Sequence, residues 1–397
     1  MYDVIVVGLG PAGATVAADL GRAGLSVLAL EWKPIPRYKV CGGGLSARID
    51  ALLDPGYRDL IEATTHTVRF QHPHAHPFHL RSSEPIAYMV MRDRFDAHLA
   101  RKAQEAGVRV HDGERVLDVR EEADAVEVIT TQHRYLGKVV IGADGAGGIV
   151  ARSLFPGHRG RMMSGFEGEI SALDYPRLQA GEIVFDLGAV RNGYAWVFPK
   201  TRGLSVGAAE FQGKGKTARQ AYDAFLESEP TLVGLPSPCR RGHALPLYGG
   251  QPEPPLVTRR AMLVGDAAHL VDPLFGEGIY YAVLSGKMAA RAAAKYLRGE
   301  AEDLQPYEAD IAHEIYPEFQ VAARMAWYLY TFPQPFLWMI DRLPGMIERY
   351  ADVLKGRETY RSFYAKARGE AKAALGTLLS PWQQRNSAKI PESNALK

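Results

Sequence analysis

The chain has 397 residues, 47% of them hydrophobic, which is enough to bury more than one core. Its 47 Lys and Arg nearly cancel 45 Asp and Glu, and the formal net charge of +2 gives no electrostatic case for a nucleic-acid partner. Only Cys41 and Cys239 are present, which excludes a disulfide scaffold and a four-cysteine zinc site and fits a reducing compartment.

The first element is the most informative. Tyr2 to Val7 is an apolar, β-branched run that enters Gly8-Leu9-Gly10-Pro11-Ala12-Gly13, a G-x-G-x-x-G turn with a helix-like segment behind it. In such a turn Gly8 permits the sharp exit from the strand, Gly10 lets backbone approach a pyrophosphate, and Gly13 lets the helix close on the strand. Ala12 lies in the same helix start, whose N–H groups face the phosphates. The next strand, Ser26 to Leu30, ends at Glu31, where a carboxylate can accept hydrogen bonds from an adenosine ribose. With a strand so early, and neither the basic segment nor the apolar core of a signal peptide, a cytoplasmic location is expected.

The segment Pro34 to Gly44 is too rich in Pro and Gly for a regular element and reads as a constrained loop. Asp93 to Ala106 is helical in pattern, with Phe95, Leu99 and Ala103 on one face and Gly107 as its stop. Short strands follow at Val108 to Val110, Val116 to Arg120, Val126 to Thr130 and from Val139 into Gly142-Ala143-Asp144-Gly145. From Arg161 to Pro246 apolar and polar residues alternate, which predicts a second, antiparallel sheet. Ala261 to Ala268 returns to strand, turn and helix, Ile279 to Leu297 is an Ala-rich helix, and everything past Asp303 reads as helical up to a loose polar tail after Pro381.

Aromatic residues crowd Phe319 to Ile347, but Pro333 and Pro335 interrupt the run and Arg324, Asp341 and Arg342 bracket it, so it is not a membrane span. It reads either as a helix pair packed on the core or as a hydrophobic substrate entrance with peripheral membrane contact. His72, His74, His76 and His79 cluster, the first three on one face of a strand, but Pro73 and Pro77 intervene and no carboxylate or cysteine joins them, so no metal site is expected. Gly213-Lys214-Gly215-Lys216-Thr217 imitates the end of a P-loop, but Glu210 stands where its first glycine belongs, and it reads as a solvated turn.

Three further segments give the N-terminal turn its meaning. Arg92 with Phe95 and Asp96, then Gly142-Ala143-Asp144-Gly145, then Gly265-Asp266-Ala267-Ala268 followed by Asp272-Pro273-Leu274-Phe275-Gly276-Glu277-Gly278-Ile279 occur in that order. Together they resemble the FAD-binding motifs of the flavoprotein class that includes aromatic hydroxylases. Asp266 can accept from a ribityl or ribose hydroxyl, and Gly276 and Gly278 let N–H groups at a helix start approach the flavin's pyrimidine end. Within that class Tyr38-Lys39-Val40-Cys41-Gly42-Gly43-Gly44-Leu45 resembles the K-P-C-G-G-G/A-L loop of geranylgeranyl reductases, and Tyr194-Ala195-Trp196-Val197-Phe198-Pro199 matches their Y-x-W-x-F-P motif. Val40 departs from the family's proline, and Phe275 stands where a small residue is common, which narrows the space beside the flavin.

The resemblance, over roughly residues 1 to 300, implies an α/β fold: a Rossmann-like FAD domain from residues 1–65, 87–158 and 256–300 and an inserted antiparallel-sheet substrate domain from 66–86 and 159–255; the helical pattern past Asp303 adds C-terminal helices over 301–397. It implies FAD held by Gly8, Gly10, Ala12, Gly13, Glu31, Cys41, Gly42, Gly43, Arg92, Asp144, Asp266, Pro273, Gly276, Gly278 and Ile279. Tyr194, Trp196 and Phe198, at period 2 on a strand, project to one face and would wall an apolar slot together with Phe275. The implied reaction saturates carbon–carbon double bonds of a geranylgeranyl or other polyprenyl chain on a lipid, pigment or quinone. Hydride goes from the reduced flavin to one alkene carbon and a proton to the other, with Cys41, Tyr194 or water as the acid and Cys41, Tyr194 and Trp196 at the reacting position. No second dinucleotide turn is present, so NADPH would dock transiently, and ferredoxin or another redox-protein donor is the other source of electrons. The alternative is an FAD-dependent aromatic monooxygenase or halogenase of the same fold; a non-enzymatic flavin-holding prenyl carrier is a third class.

Overall fold

The computed structural model describes residues 1–158, 160–171, 181–211, 216–235, 240–250, 253–342 and 345–369. Cys239, Gly213 to Gly215 of the P-loop imitation and the tail after Pro381 lie outside the described residues.

Tyr2–Val7 is apolar because both of its faces are covered: Val4, Ile5 and Val6 have no exposed surface. It lies between Val27–Glu31 and Arg134–Gly142, parallel to both, with Val4 opposite Val27 and Val139. Arg109–Asp112 extends the sheet beyond Val27–Glu31, and Ala261–Leu263 pairs in parallel with the end of Arg134–Gly142. The strands Val126–Thr130 and Val116–Glu121 close the other edge in antiparallel register. The expected helix at Asp93 is Arg92–Glu105, and the Ala-rich helix is Ile279–Leu297. Pro11–Arg22 packs on Ile279–Leu297 so closely that a Cβ on Gly286 would stand 2.8 Å from the Ala12 carbonyl.

The second sheet runs, in spatial order, through Arg241–Leu247, Arg161–Ser171, Gly203–Glu210, Gly193–Lys200, Glu182–Asp186, Thr67–His72 and Ala75–Arg81. It is antiparallel as the alternation predicts, apart from one parallel contact between Glu182–Asp186 and Thr67–His72. Its outer face is covered by the helix Lys216–Ser228, with Tyr222 and Phe225 against Val197, Val206 and Ala208. Its inner face turns toward the first sheet and toward the helices Tyr316–Thr331, Pro333–Arg342 and Met346–Leu354. The aromatic run at Phe319 to Ile347 thus spans Tyr316–Thr331, Pro333–Arg342 and the start of Met346–Leu354, and Trp327, Tyr328, Phe332 and Trp338 on it stay exposed. The four histidines do not share one strand, because residues 73–74 form the turn between Thr67–His72 and Ala75–Arg81. Among the described residues no group of His, Cys, Asp and Glu could hold a metal ion.

Candidate active site

Ligands of open α/β sheets bind at the carboxyl ends of parallel strands, where the chain reverses across the sheet. Four strands here end in the residues singled out by sequence: Tyr2–Val7 leads to Gly8, Val27–Glu31 ends on Glu31, Arg134–Gly142 leads to Asp144 and Ala261–Leu263 to Asp266. All four line one cavity of about 900 Å³ between the two sheets.

The turn is shaped as its glycines require. Gly8 has φ +96°, and a Cβ there would meet the Ala143 carbonyl at 2.4 Å; a Cβ on Gly13 would fall 1.9 Å from the Gly8 carbonyl. Gly10 is different, with an ordinary φ of −73° and nothing nearer to its ideal Cβ than the Arg37 guanidinium at 4.0 Å. Open space above Gly10, beside the start of Pro11–Arg22, is what a pyrophosphate needs. Glu31 is buried; its carboxylate accepts from Leu9 N–H at 3.1 Å and from Arg37 at 3.0 Å, and Arg37 also pairs with Asp96 at 3.0 Å. Asp96 in turn holds Arg92 at 2.8 Å, so the Arg92 and Asp96 of the sequence motif form one buried ion network with the turn.

Asp144 is half-buried, with its Oδ1 buried and unpartnered while Oδ2 accepts from Val150 N–H at 3.2 Å, and burial pushes its carboxyl up to about 6. Asp272 ties the far wall: its Oδ1 accepts from Leu274 N–H at 2.7 Å and Phe275 N–H at 3.0 Å, turning the chain into Gly276, whose φ is +71°. Gly276, Gly278 and Ile279 line the cavity ahead of Ile279–Leu297, with a Cβ on Gly278 only 3.4 Å from Asp266 Oδ1. The open turn, the unpartnered Asp144 oxygen and the glycine-lined helix start fit FAD. Of the sequence-selected cofactor residues, Gly13 and Pro273 stand behind the wall: Gly13 packs on Gly8 and Pro273 is buried.

The Cys41 loop crosses the cavity and is held from both sides. Cys41 N–H donates to Glu167 at 2.6 Å and Tyr38 OH donates to the same carboxylate at 3.1 Å, while Lys200 Nζ donates to the carbonyls of Gly42 at 2.8 Å and Val90 at 2.7 Å. Gly43 N–H points at Cys41 Sγ at 3.4 Å, and the Arg92 guanidinium lies within hydrogen-bonding reach of the same thiol. A Cβ on Gly42 would strike the Phe198 ring at 2.7 Å, so glycine is what lets the aromatic strand close over this loop. Lys39 meets His243 at 2.5 Å; burial pulls His243 down to about 4, with the Lys39 and Arg92 charges adding to it, so Lys39 donates to a neutral ring. Burial pushes Glu169 up to about 8, with Lys200 pulling against the rise and Glu167 adding to it.

Tyr194, Trp196 and Phe198 do share the inner face, with successive ring centroids 5.9 and 6.0 Å apart. One register row explains how: Arg241, Glu167, Gly207, Trp196, Phe185 and Phe70 lie side by side across the sheet, passing from charge to aromatic carbon. Gly207 leaves room for the indole, which a Cβ there would touch at 2.0 Å. Tyr194 donates its hydroxyl to the Phe275 carbonyl at 2.5 Å, and burial drives its acidity further down. The sequence reading did not select Glu167, Lys200, His243, Phe185 or Phe70. Phe185 and Phe70 carried a period-2 signal, whereas Glu167 carried none, since a Glu alternating with apolar residues ordinarily marks a solvent face.

The family described as FAD binding domain matches residues 1–187. The digeranylgeranylglycerophospholipid reductase of Thermoplasma volcanium is 31% identical over 331 residues, spanning 77% of this chain and 80% of the relative. This chain belongs to the geranylgeranyl reductase family. A solved member-like protein, the geranylgeranyl bacteriochlorophyll reductase-like protein of Thermoplasma acidophilum, superposes with a TM-score of 0.75 at 25% identity, covering 96% of this chain and 98% of its own. A flavin-dependent brominase, with a TM-score of 0.70 at 21% identity over 94% of this chain and 99% of its own, shares the family's fold alone.

Proposed function

We propose that this protein is an FAD-dependent oxidoreductase that saturates carbon–carbon double bonds of a geranylgeranyl or other polyprenyl chain carried by a lipid, pigment or quinone. The observation that carries the reading is that the phosphate turn, the Cys41 loop and the apolar face of Tyr194, Trp196 and Phe198 are walls of one cavity. FAD-type cradle and hydrocarbon slot are the same space. Residues 1–65, 87–158 and 256–300 would form the cofactor domain, and 66–86 with 159–255 the substrate domain.

When bound and reduced, FAD supplies the hydride that one alkene carbon receives. Trp196 and Phe198 exclude water and hold the chain by apolar contact, and Tyr194 fixes the backbone at Phe275. An unactivated alkene needs a proton at its second carbon as the hydride arrives. Cys41 Sγ is our choice for that donor, because Glu167, Lys200 and Gly43 fix its loop and because Tyr194 already spends its proton on Phe275. The charge left on sulfur would face Arg92, with Lys39 and Lys200 close enough to feel it.

Electrons come from NADPH docking transiently or from ferredoxin. We place the protein in the cytoplasm and peripheral on the membrane: no described helix is long and apolar enough to cross one, and Trp327, Tyr328, Phe332 and Trp338 are 52%, 45%, 48% and 60% exposed on neighbouring helices. Mass spectrometry of lipid extracted from the purified protein tests the substrate class. A co-purifying polyprenyl lipid is expected; an aromatic metabolite in its place would favour the monooxygenase or halogenase alternative.

A further inference from the structure

Glu169 is a titratable group that proton transfer to the alkene leaves unused. It follows Glu167 by two residues in Arg161–Ser171, so both side chains leave that strand on the inner face. The register sets Glu167 beside Gly207 and Trp196, and Glu169 beside Ser205 and Phe198. The Glu169 carboxyl lies within hydrogen-bonding reach of Glu167. Two carboxylates in contact repel too strongly for both to be charged, so the pair holds one proton between them.

That proton sits on Glu169. Glu167 accepts at both oxygens, from Tyr38 OH at 3.1 Å and from Cys41 N–H at 2.6 Å, the bonding of a carboxylate and not of a carboxylic acid. Burial pushes Glu169 up to about 8, so at neutral pH it is the acid of the pair. Lys200 Nζ, which donates to the Gly42 carbonyl at 2.8 Å, is close enough to feel charge on both Cys41 and Glu169. A negative charge moving from the sulfur to Glu169 would stay beside the same ammonium. Ser205 is fully buried next to Glu169, and its hydroxyl finds no partner among the described residues, which leaves a donor for the Glu169 carboxylate. Glu169 also keeps contact with solvent, whereas Glu167 is buried.

We propose that Glu169 and Glu167 form the relay that returns a proton to Cys41 after each reduction, a role that rests on the reductase reading and on Cys41 as the donor to the alkene. Once Cys41 has given up its proton, the sulfur is a thiolate. Glu167 already holds the N–H of the same residue; it takes the proton of Glu169 and passes one on to Sγ, by rotation of the Cys41 side chain or through one water. An O–H bond of Glu169 breaks, an S–H bond forms, Glu167 ends as the carboxylate it was, and no electrons change hands. Glu169, the member in contact with solvent, then recovers a proton from water. The groups facing it are Glu167 on its own strand, Lys200 of Gly193–Lys200 and Asp93 in the first turn of Arg92–Glu105; Lys200 favours release of the proton and the two acids oppose it. The relay runs only while Glu169 is protonated, so it stops as pH climbs through about 8.

The test compares the first turnover with those that follow, without oxygen. FAD-loaded protein is reduced with dithionite and mixed with a digeranylgeranyl glycerophospholipid for one turnover, and in a second series is cycled with dithionite in excess. Glu169→Gln keeps the shape of the side chain and carries no acid to transfer. Its first turnover is expected to stay within about twofold of wild type, because Cys41 starts protonated, and its later turnovers to slow roughly tenfold or more. The wild-type steady-state rate is expected to fall as pH climbs through about 8, a fall that Glu169→Gln lacks. Glu169→Asp, which keeps an acid, should recover part of the steady-state rate with the fall displaced to lower pH, and it carries the test alone should Glu169→Gln fail to fold. Later turnovers at the wild-type rate in Glu169→Gln, a first turnover slowed as much as the rest, or an undisplaced fall in Glu169→Asp overturns the relay and leaves the reductase reading intact. Wild-type protein that leaves the lipid unchanged in the first turnover removes the reductase reading, and the relay with it.

Discussion

Gly10→Ala separates the phosphate site from the fold around it. Gly10 has φ −73° and ψ −174°, which any residue can adopt, and its ideal Cβ finds only the Arg37 guanidinium, 4.0 Å away. The ligand-free protein should tolerate the methyl group within about 0.5 kcal/mol, as a substitution that creates neither clash nor cavity. FAD should not tolerate it. A pyrophosphate oxygen held off the backbone loses at least one hydrogen bond to a charged acceptor, about 1.5–3 kcal/mol, or roughly ten- to a hundredfold in Kd. Gly13→Ala is the control, because its Cβ would stand 1.9 Å from the Gly8 carbonyl and must push helix and strand apart whether or not FAD is present. Overpacking of that kind costs about 1–3 kcal/mol or more. Thermal unfolding of the flavin-free protein and a flavin fluorescence titration measure the two effects independently. Equal destabilisation of the flavin-free protein by both substitutions, or wild-type FAD affinity in Gly10→Ala, would refute the reasoning.

Glu167→Gln should lower turnover at unchanged FAD affinity, since it turns the charge-assisted bond from Cys41 N–H into a neutral one, a loss of about 1 kcal/mol in the hold on that loop; steady-state kinetics beside FAD titration checks this, and a parallel loss of FAD would mean that Glu167 supports the cofactor instead. Trp196→Phe should raise KM for a long prenyl chain about fivefold and leave FAD binding alone, the ring lost being worth about 1 kcal/mol of apolar contact, whereas an unchanged KM with a lower Tm would make Trp196 a packing residue. Asp144 gives a pH signature. Its carboxyl rises from 3.8 to about 6 on folding, so the folded protein holds the proton more tightly, and stability present below pH 4 is lost as pH climbs to about 6. The linked loss is about 3 kcal/mol at most. Asp144→Asn, unable to ionise, should gain on the wild type across that window in urea titrations of the flavin-free protein and hold a constant difference above it; a pH-independent difference would show that Asp144 is not the titrating group.

Sequence patterns gave the cofactor half of the cavity more fully than the substrate half, for a physical reason. A phosphate site is built from backbone, and backbone demands are written as glycines at fixed spacing, so Gly8, Gly10 and Gly13 were legible before any coordinates. Gly207 answers an equally strict demand beneath the Trp196 indole, but its partner comes from another strand and no local spacing records it; Gly42 was legible through its loop motif, though its contact with Phe198 was not. Glu167 is the sharpest case. In Arg161–Ser171 it alternates with Phe166, and the usual rule sends the carboxylate to solvent and the ring to the core; here both faces are covered, since Phe166 packs on the core beneath Lys216–Ser228 while Glu167 turns inward, 1% exposed, to the Cys41 loop. The strand that His72, His74 and His76 would share is absent for a local reason: a turn at residues 73–74 folds the segment into two strands.

The reductase reading is tested most directly by a single-turnover experiment without oxygen. FAD-loaded protein is reduced with dithionite, freed of excess reductant and mixed with a digeranylgeranyl glycerophospholipid; flavin absorbance and lipid mass are followed together. The account predicts that the flavin is reoxidised as the lipid gains two hydrogens per flavin, with Cys41→Ser slowing both in step. A flavin that stays reduced beside unchanged lipid, or one that turns over only when oxygen is admitted and an aromatic substrate gains oxygen or halogen, would contradict it.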